Sequence, residues 1–153
     1  MTQEEIEFIG FFYGEGCITI QRVNHRGNPV FRLRISISSR EDDSYIIDWA
    51  KEKFGGYTYR YGKRVMKTSG YISNPVKVWI VDSRVLTRKI LELLRKGKLK
   101  STKNKQVLLG LEFLDYQENR EGKNRKLKPE QIEICEDYKQ KLQLFKKYSN
   151  VTD

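Results

Sequence analysis

The sequence is poor in the residues that build most metal, disulfide and histidine-based sites. It contains one histidine, two cysteines and three prolines in 153 residues. Cys17 and Cys135 stand far apart and form no CxxC pair, which argues against a disulfide framework or a zinc site. His25 lies in the stretch NHRGNP, which is typical of a turn, so we interpret it as a polar loop residue. Catalysis centred on histidine is therefore excluded unless this one residue is central.

The chain also lacks a long apolar run and an excess of acidic residues. No run of about 18 apolar residues occurs, which predicts no membrane span, and the acidic start MTQEEIEF has no signal-peptide pattern. We therefore expect an intracellular protein of the cytoplasm, nucleoid or an organelle that is not secreted and binds no membrane. Lys and Arg outnumber Asp and Glu by 30 to 20, and the net charge of +10 favours a polyanionic partner. A basic surface without such a partner fits the charge equally well.

Apolar residues are frequent enough for a folded domain. Hydrophobic residues make up 38% and aromatic residues 12% of the chain, which is typical of a protein with a packed core. Thr2 and Glu5 form a capping box that begins a helix, and Gly14 and Gly16 are expected to end it. Two strands joined at NHRGNP follow.

The remaining elements continue this mixed order. A second helix is predicted from Ser39 to its end at Gly55-Gly56, followed by two strands. A third helix capped by Asp82 and two more helices follow, the last beginning near Pro129. The prediction is a single α+β domain over residues 1–153. Its αββαββα core covers about 3–115, and a helical extension covers about 119–150.

The stretch FRLRISIS, residues 31–38, shows the clearest alternation in the chain. Its apolar positions predict a face packed on the core, and the intervening Arg and Ser residues predict a cationic, hydrogen-bonding face. A sheet with such a face is suited to the major groove of DNA. The candidate DNA-binding residues on this and the other strands are Thr19, Gln21, Arg32, Arg34, Ser36, Ser38, Tyr59, Tyr61, Lys77 and Trp79. The alternative for each arginine is a phosphate contact or a solvated strand face.

The stretch FIGFFYGEG, residues 8–16, resembles the nine-residue motif of the LAGLIDADG homing endonucleases. Gly10 matches the small helix-packing residue, Glu15 the second acid and Gly16 the final glycine, whereas Tyr13 replaces the first acid. A later stretch, LLGLEFLD at 108–115, lacks the acid–glycine pair and the following strand, so we interpret it as an ordinary packed helix. With one motif, the chain is similar to the single-motif, homodimeric branch of the family.

The resemblance implies a fold, an activity and a partner. The fold is a four-stranded antiparallel DNA-binding sheet within the αββαββα order. The activity is that of an intron-encoded, Mg²⁺-dependent DNA endonuclease, which cuts both strands of a long pseudo-palindromic site and leaves short 3′ overhangs. Two copies are expected to pair through the motif helix. The interface residues implied are Ile6, Ile9, Gly10, Phe12 and Tyr13.

The resemblance also implies the catalytic residues. Glu15 and the Gly14 carbonyl supply hard oxygen ligands for Mg²⁺, although Glu15 alone would be interpreted as a surface glutamate at a helix end. Lys103 matches a basic residue at the start of a helix, with Lys100 and Lys105 as competitors in the basic run 95–105.

Two alternatives to these assignments stay open. Lys103 fits a plain phosphate contact equally well. Ser39 matches a polar residue that orders water, a role that Arg40 could also fill.

A binding protein that does not cut is the alternative function. Proteins of this fold also act as intron RNA maturases or DNA-binding regulators. Tyr13 and the basic run 95–105 keep this interpretation open.

Overall fold

The computed structural model describes residues 1–62, 64–65, 68–70, 72–98 and 101–149. The predicted α+β order is confirmed. The elements are α1 (Gln3–Glu15), β1 (Gly16–His25), β2 (Asn28–Arg40), a 3-10 turn (Glu41–Asp43), α2 (Tyr45–Phe54), β3 (Tyr57–Tyr61), β4 (Arg64–Val65), β5 (Ile72–Ser73), β6 (Val76–Val81), α3 (Arg84–Lys96), α4 (Thr102–Asn119) and α5 (Pro129–Ser149). Among the described residues, no helix is long and apolar enough to cross a membrane.

Four strands form the main antiparallel sheet, in the order β1-β2-β6-β3. The short strands β4 and β5 form a separate two-stranded sheet. β1 and β2 are joined by Arg26 and Gly27, whose φ angles of 52° and 80° are both positive. Positive φ at both central residues is the signature of the type I′ turn, whose twist matches that of the flanking strands. The hairpin predicted at NHRGNP is therefore confirmed.

The capping box predicted for α1 is present. The Glu5 amide donates to Thr2 Oγ1 at 3.1 Å, and the Thr2 amide donates to Glu5 Oε2 at 2.9 Å. The helix does not stop at Gly14 but continues through Glu15. Gly16 then turns the chain into β1 with an ordinary negative φ of −77° while its amide donates to the Phe12 carbonyl.

The chain divides into two compact units. The first consists of residues 1–17 and 35–81. Its core is an aromatic cluster in which the Phe8 ring lies 5.6 Å from Trp49, 5.5 Å from Phe54 and 6.0 Å from Trp79. Trp79 is fully buried, and its indole nitrogen donates to the Gly55 carbonyl at 2.8 Å. Gly55 ends α2 with a φ of 83°, as predicted.

The second unit consists of residues 18–34 and the described residues from 82 onwards. α4 packs against both α3 and α5 in this unit. Gly110 lets α4 approach α3, because a Cβ there would lie 3.0 Å from Leu91 Cδ1. The side-chain amide of Gln117 donates through Nε2 to the Phe31 carbonyl at 2.8 Å. Since α5 packs on α4, it shares a core with α3 and α4. That residues 1–153 form one domain stays a prediction.

Two predicted helix starts are wrong. β2 continues through Ser39 to Arg40, and α2 begins only at Tyr45. α3 is preceded by Ser83 rather than Asp82, and Asp82 instead lies beside Arg34. Ser39 lies near the end of β2, and Asp82 directly follows β6. Serine and aspartate are good helix-capping residues, so the local sequence does not distinguish these strand ends from helix starts.

Candidate functional site

Glu15 is the last residue of α1 and is exposed. No hydrogen bond or ion pair joins its carboxylate to any other described residue. The preceding Gly14 is also exposed, and a Cβ built on it would meet no atom within 4 Å. The carboxylate therefore stands at the helix end where the last carbonyls and the negative pole of the helix dipole already lie.

The donors at this helix end fit Mg²⁺ but not an all-protein metal cage. No group of three or more His, Cys, Asp or Glu side chains lies together within the described parts of the chain. Mg²⁺ is usually held by one or two carboxylates and completes its shell with water and substrate phosphates. Glu15 with a backbone carbonyl matches that smaller donor set.

The Ser39 hydroxyl is engaged locally. Its oxygen lies 3.1 Å from the Asp43 carbonyl and 3.2 Å from the Arg40 carbonyl, to which it can donate. Ser39 therefore fastens the turn that follows β2. Neighbouring Arg40 pairs with Asp42 at 2.9 Å. The water-ordering role of either residue stays a prediction.

Lys103 occupies the first turn of α4, the kind of position that the resemblance implies. Its amide donates to the hydroxyl of the helix-capping Ser101 at 3.1 Å, and the residue is half-buried. Its competitor Lys105 is exposed, and Lys100 lies outside the described residues. The catalytic role of Lys103 stays a prediction.

In the first unit, strand register decides which side chains share the sheet face away from α1 and α2. Directly opposed residues lie on the same face of an antiparallel pair. Three cross-strand rows therefore form this outer face, which runs across β2, β6 and β3. The rows are Ser36–Ile80–Tyr57, Ser38–Val78–Tyr59 and Arg40–Val76–Tyr61.

The DNA-binding assignments of Lys77 and Trp79 are wrong. Trp79 pairs with Ile37 on the face that packs on the helices, and its side chain is fully buried. Lys77 lies on the same face, with only 13% of its side chain exposed, and pairs with Asp48.

The error arises because both alternating sets of VKVWIV contain large apolar residues: Val78 and Ile80 in one, Trp79 and Val81 in the other. Predicting Lys77 and Trp79 as outward residues places Val76, Val78 and Ile80 in the core, but it is the larger Trp79 that is buried against Phe8. The prediction therefore missed Tyr57, Val78 and Ile80 on the outer face. The size of Trp79 and the clear alternation of β2 were the signals that could have found them.

In the second unit, the polar residues of β1 and β2 alternate with buried ones as predicted. Thr19 and Gln21 are half-buried and alternate with the buried Ile18 and Ile20, and Arg32 is exposed. Arg34 Nη2 lies 3.7 Å from Asp82 Oδ2, while Arg34 Nε is buried without a described hydrogen-bond partner. The Arg34 side chain is therefore held near one carboxylate, which leaves hydrogen-bond donors of the guanidinium available.

One cavity of the second unit joins β1 to α5. It has a volume of about 410 Å³ and brings Thr19 and Gln21 together with Lys139 and Lys146. The same region is fastened by an ion pair of 2.8 Å between Arg22 and Glu136. The sequence did not indicate a role for α5. In the structure this helix places Lys139 and Lys146 beside Thr19 and Gln21, the predicted base-reading residues of β1.

The predicted interface residues of α1 divide into two faces. Ile6, Gly10 and Tyr13 follow each other at helical spacing and are exposed, with 51% of Ile6 and 45% of Tyr13 accessible. Phe12 is fully buried and Ile9 is 6% exposed, so both belong to the protomer's own core. The interface assignment is therefore corrected at Phe12 and Ile9, which have almost no surface to offer a partner.

Solved structures share this fold. The homing endonuclease I-TnaI is 16% identical with a TM-score of 0.71, and the match covers 98% of this chain and 100% of that one. I-CvuI, solved in complex with the I-CreI target in the presence of Mg with the DNA not cleaved, is 18% identical with a TM-score of 0.69, covering 97% of this chain and 85% of that one. The meganuclease I-AabMI, bound to uncleaved DNA, is 19% identical with a TM-score of 0.66, covering 94% of this chain but 45% of that one.

These likenesses establish the fold of the homing endonucleases. The sequence model of the LAGLIDADG endonucleases matches residues 8–114, which begin with FIGFFYGEG, so this chain belongs to the LAGLIDADG endonuclease family. No curated protein matches the chain. The resemblance seen in the sequence, including the size of a single-motif member, is confirmed.

Proposed function

We propose that this chain is a site-specific endonuclease that cuts double-stranded DNA as a homodimer with Mg²⁺. The observation that carries the proposal is the exposed carboxylate of Glu15, which has no ion-pair partner among the described residues. A negative side chain at the negative end of a helix is unfavourable by about 0.3–1 kcal/mol. A cation bound there would remove this cost, which gives the position a function.

Glu15 and the Gly14 carbonyl would hold the metal ion. When bound, Mg²⁺ supplies charge stabilisation at the phosphate and acidifies a coordinated water. Glu15 orients this site because it is fixed at the end of a helix whose other side is packed in the core. Lys103 contributes a cation that stabilises the extra charge on the phosphate.

The outer sheet face and the net charge of +10 support duplex DNA as the substrate. Arg32 and Arg34 carry the side chain that recognises guanine through two hydrogen bonds, whereas serine can bond to any of the bases. I-CvuI and I-AabMI, which share the fold, were solved with DNA. We therefore assign base contacts to the polar residues of β1 and β2.

The exposed apolar stripe of α1 supports a homodimer. Glycine within a helix costs about 1 kcal/mol relative to alanine, yet a Cβ on Gly10 would meet no described atom within 4 Å of its own chain. A partner helix that crosses at Gly10, between Ile6 and Tyr13, would explain the glycine, because the absence of a Cβ lets the two helices approach closely. Two copies would recognise a pseudo-palindromic site and cut both strands, leaving short 3′ overhangs.

Glu15→Gln is the direct test. The wild type and the variant are incubated with a randomised duplex library in Mg²⁺, and the cut ends and the retained duplexes are sequenced. We expect defined ends at one near-palindromic site from the wild type alone, while both proteins retain the same duplexes. The matched control is Glu4→Gln, an exposed acidic residue in the first turn of the same helix, which should cut like the wild type.

Two results would contradict the proposal. Normal cutting by Glu15→Gln would remove this residue from the site. Tighter binding of structured RNA than of any duplex, with no cut ends in Mg²⁺, would instead support a maturase that binds intron RNA.

A further inference from the structure

Three tyrosines dominate the part of the outer face formed by β3 and β6. Tyr57, Tyr59 and Tyr61 are 43%, 36% and 38% exposed. Their ladder partners on β6 are aliphatic, and two of these, Val78 and Ile80, are 6% and 4% exposed. The surface here is therefore a row of phenol rings above an aliphatic floor. We call these six residues the tyrosine patch: Tyr57, Tyr59, Tyr61, Val76, Val78 and Ile80.

The chemistry of the tyrosine patch differs from that of the neighbouring β2. The six residues include no Arg, Lys, Asn, Gln, Asp or Glu. The side chains that form paired hydrogen bonds with guanine or adenine, and the carboxylate that accepts from cytosine, are therefore missing from these six residues, whose side-chain polar atoms are the three phenol hydroxyls. A single phenol hydroxyl forms no bidentate pair with a base edge, so the base-specific contact for which the rings and the aliphatic side chains are best suited is apolar contact with the C5-methyl group of thymine.

The packing of the rings supports a fixed rather than a loose contact surface. Tyr59 and Tyr61 meet edge to face, with ring centroids 5.1 Å apart and planes at 83°. Such a pair is worth about 0.5–1.5 kcal/mol beyond its buried area, and a tyrosine ring has few rotatable bonds to immobilise. A rigid apolar row can discriminate a methyl group by fit.

We infer that the tyrosine patch reads thymine through its C5-methyl group, so that each half-site carries thymine at the base pairs facing β3 and β6. This inference rests on the proposed DNA-binding function and specifies which bases that function selects. Ser36 and Ser38, in the adjacent strand, leave the base pairs facing them less restricted.

The test replaces each thymine of the selected duplex by deoxyuridine, one position at a time. Uracil keeps the hydrogen-bonding groups of thymine and lacks only the methyl group. Binding is measured without cleavage, by equilibrium titration in Ca²⁺, so it needs only a preferred duplex. We expect about a fourfold loss of affinity at one to three positions per half-site, which corresponds to ~0.8 kcal/mol for one buried methyl group.

Variants of the tyrosine patch then connect each position to a side chain. Tyr59→Ser should remove the penalty of deoxyuridine at one position and leave the others unchanged, whereas Tyr59→Phe, which keeps the ring, should retain it. Tyr57→Ser and Tyr61→Ser should act at different positions. Tyr45→Ser is the matched control, because Tyr45 is 59% exposed on α2 and outside the sheet.

The outcomes separate this inference from the proposed function. A bound duplex in which every deoxyuridine is neutral, or a penalty that persists in all three Ser variants, would overturn methyl reading even if the duplex is cut. A methyl penalty that moves with the Ser variants on a duplex that is never cut would support the inference and contradict the nuclease. Failure to prefer any duplex sequence would overturn both.

Discussion

The ring of Phe12 leaves no room for a side chain at position 16. A Cβ on Gly16 would lie inside the van der Waals contact distance of three Phe12 ring carbons, and that ring is fully buried. Gly16→Ala should therefore lower the free energy of unfolding by about 1–3 kcal/mol, as overpacking does in other cores. Urea unfolding checks this. Gly62→Ala, where a Cβ meets no described atom within 4 Å, should stay within about 0.5 kcal/mol of the wild type.

Arg34 is the arginine whose environment best fits base reading. Its guanidinium is half-buried and, within the described residues, pairs with one carboxylate, that of Asp82. Arg34→Ala should relax the preference at one base pair by about 1–3 kcal/mol if the contact is bidentate. Titration of four duplexes that differ at that pair measures the change. Equal weakening on all four would make Arg34 a phosphate contact, which is the effect we expect from the control Arg26→Gly in the β1–β2 turn.

At the level of elements, the first turn of α1 contains a carboxylate, that of Glu5, whose pKa is lowered. A hydrogen bond from Lys53, at 2.6 Å, and then the backbone amide of Thr2 hold the pKa of Glu5 below its ordinary value of 4.5. A folded pKa below the unfolded one stabilises the protein above the unfolded pKa, and this contribution is lost as the pH falls through the folded pKa.

Glu5→Gln should therefore be less stable than the wild type at neutral pH, and the difference should shrink as the pH falls below 4.5. Urea midpoints at pH 7 and pH 3 measure the two differences. Glu4→Gln, in the same helical turn, is the control variant. A deficit in Glu5→Gln that is as large at pH 3 as at pH 7 would show that the lost interaction is not ionic.

The elements that the sequence predicted well are those with local signals. The start of α1 follows from a capping box within four residues, and the end of α2 from Gly55, which takes a positive φ. The face of β6 could not be predicted in this way, because both of its alternating sets contain large apolar residues. Its orientation follows from the pairing of Trp79 with Ile37, which is not a local property.

For the whole molecule, the proposed dimer depends on a close approach at Gly10. Gly10→Leu adds a side chain where a Cβ meets no described atom of its own chain within 4 Å, so the protomer should still fold. We expect the variant to sediment as a monomer and to lose double-strand cutting. Lys51→Leu, an equally exposed apolar change on α2, should remain dimeric. A dimeric Gly10→Leu that cuts normally would move the interface away from α1.

The sequence predicted the order of elements, the family and the residues of the motif, since these depend on periodicity and on nine contiguous residues. It did not predict how the apolar residues of α1 divide between the core and a partner. Ile6 and Phe12 are both apolar and both lie on the same amphipathic helix. Only the packing of Phe12 beneath Gly16 shows that one is used internally while the other is left exposed.

The spacing of side chains along β2 can be compared with the spacing of base pairs in DNA. The strand has 13 residues, and those on one face, such as Ser36 and Ser38, are two residues or about 6.6 Å apart. Successive bases of a DNA strand are about 3.4 Å apart along the helix axis. With β2 lying along the groove as proposed, each outward side chain would advance by about two base pairs, so the strand would contact every second base pair. The base pairs between these contacts would then be read by the neighbouring strands, so that contacts from different strands would alternate along a half-site.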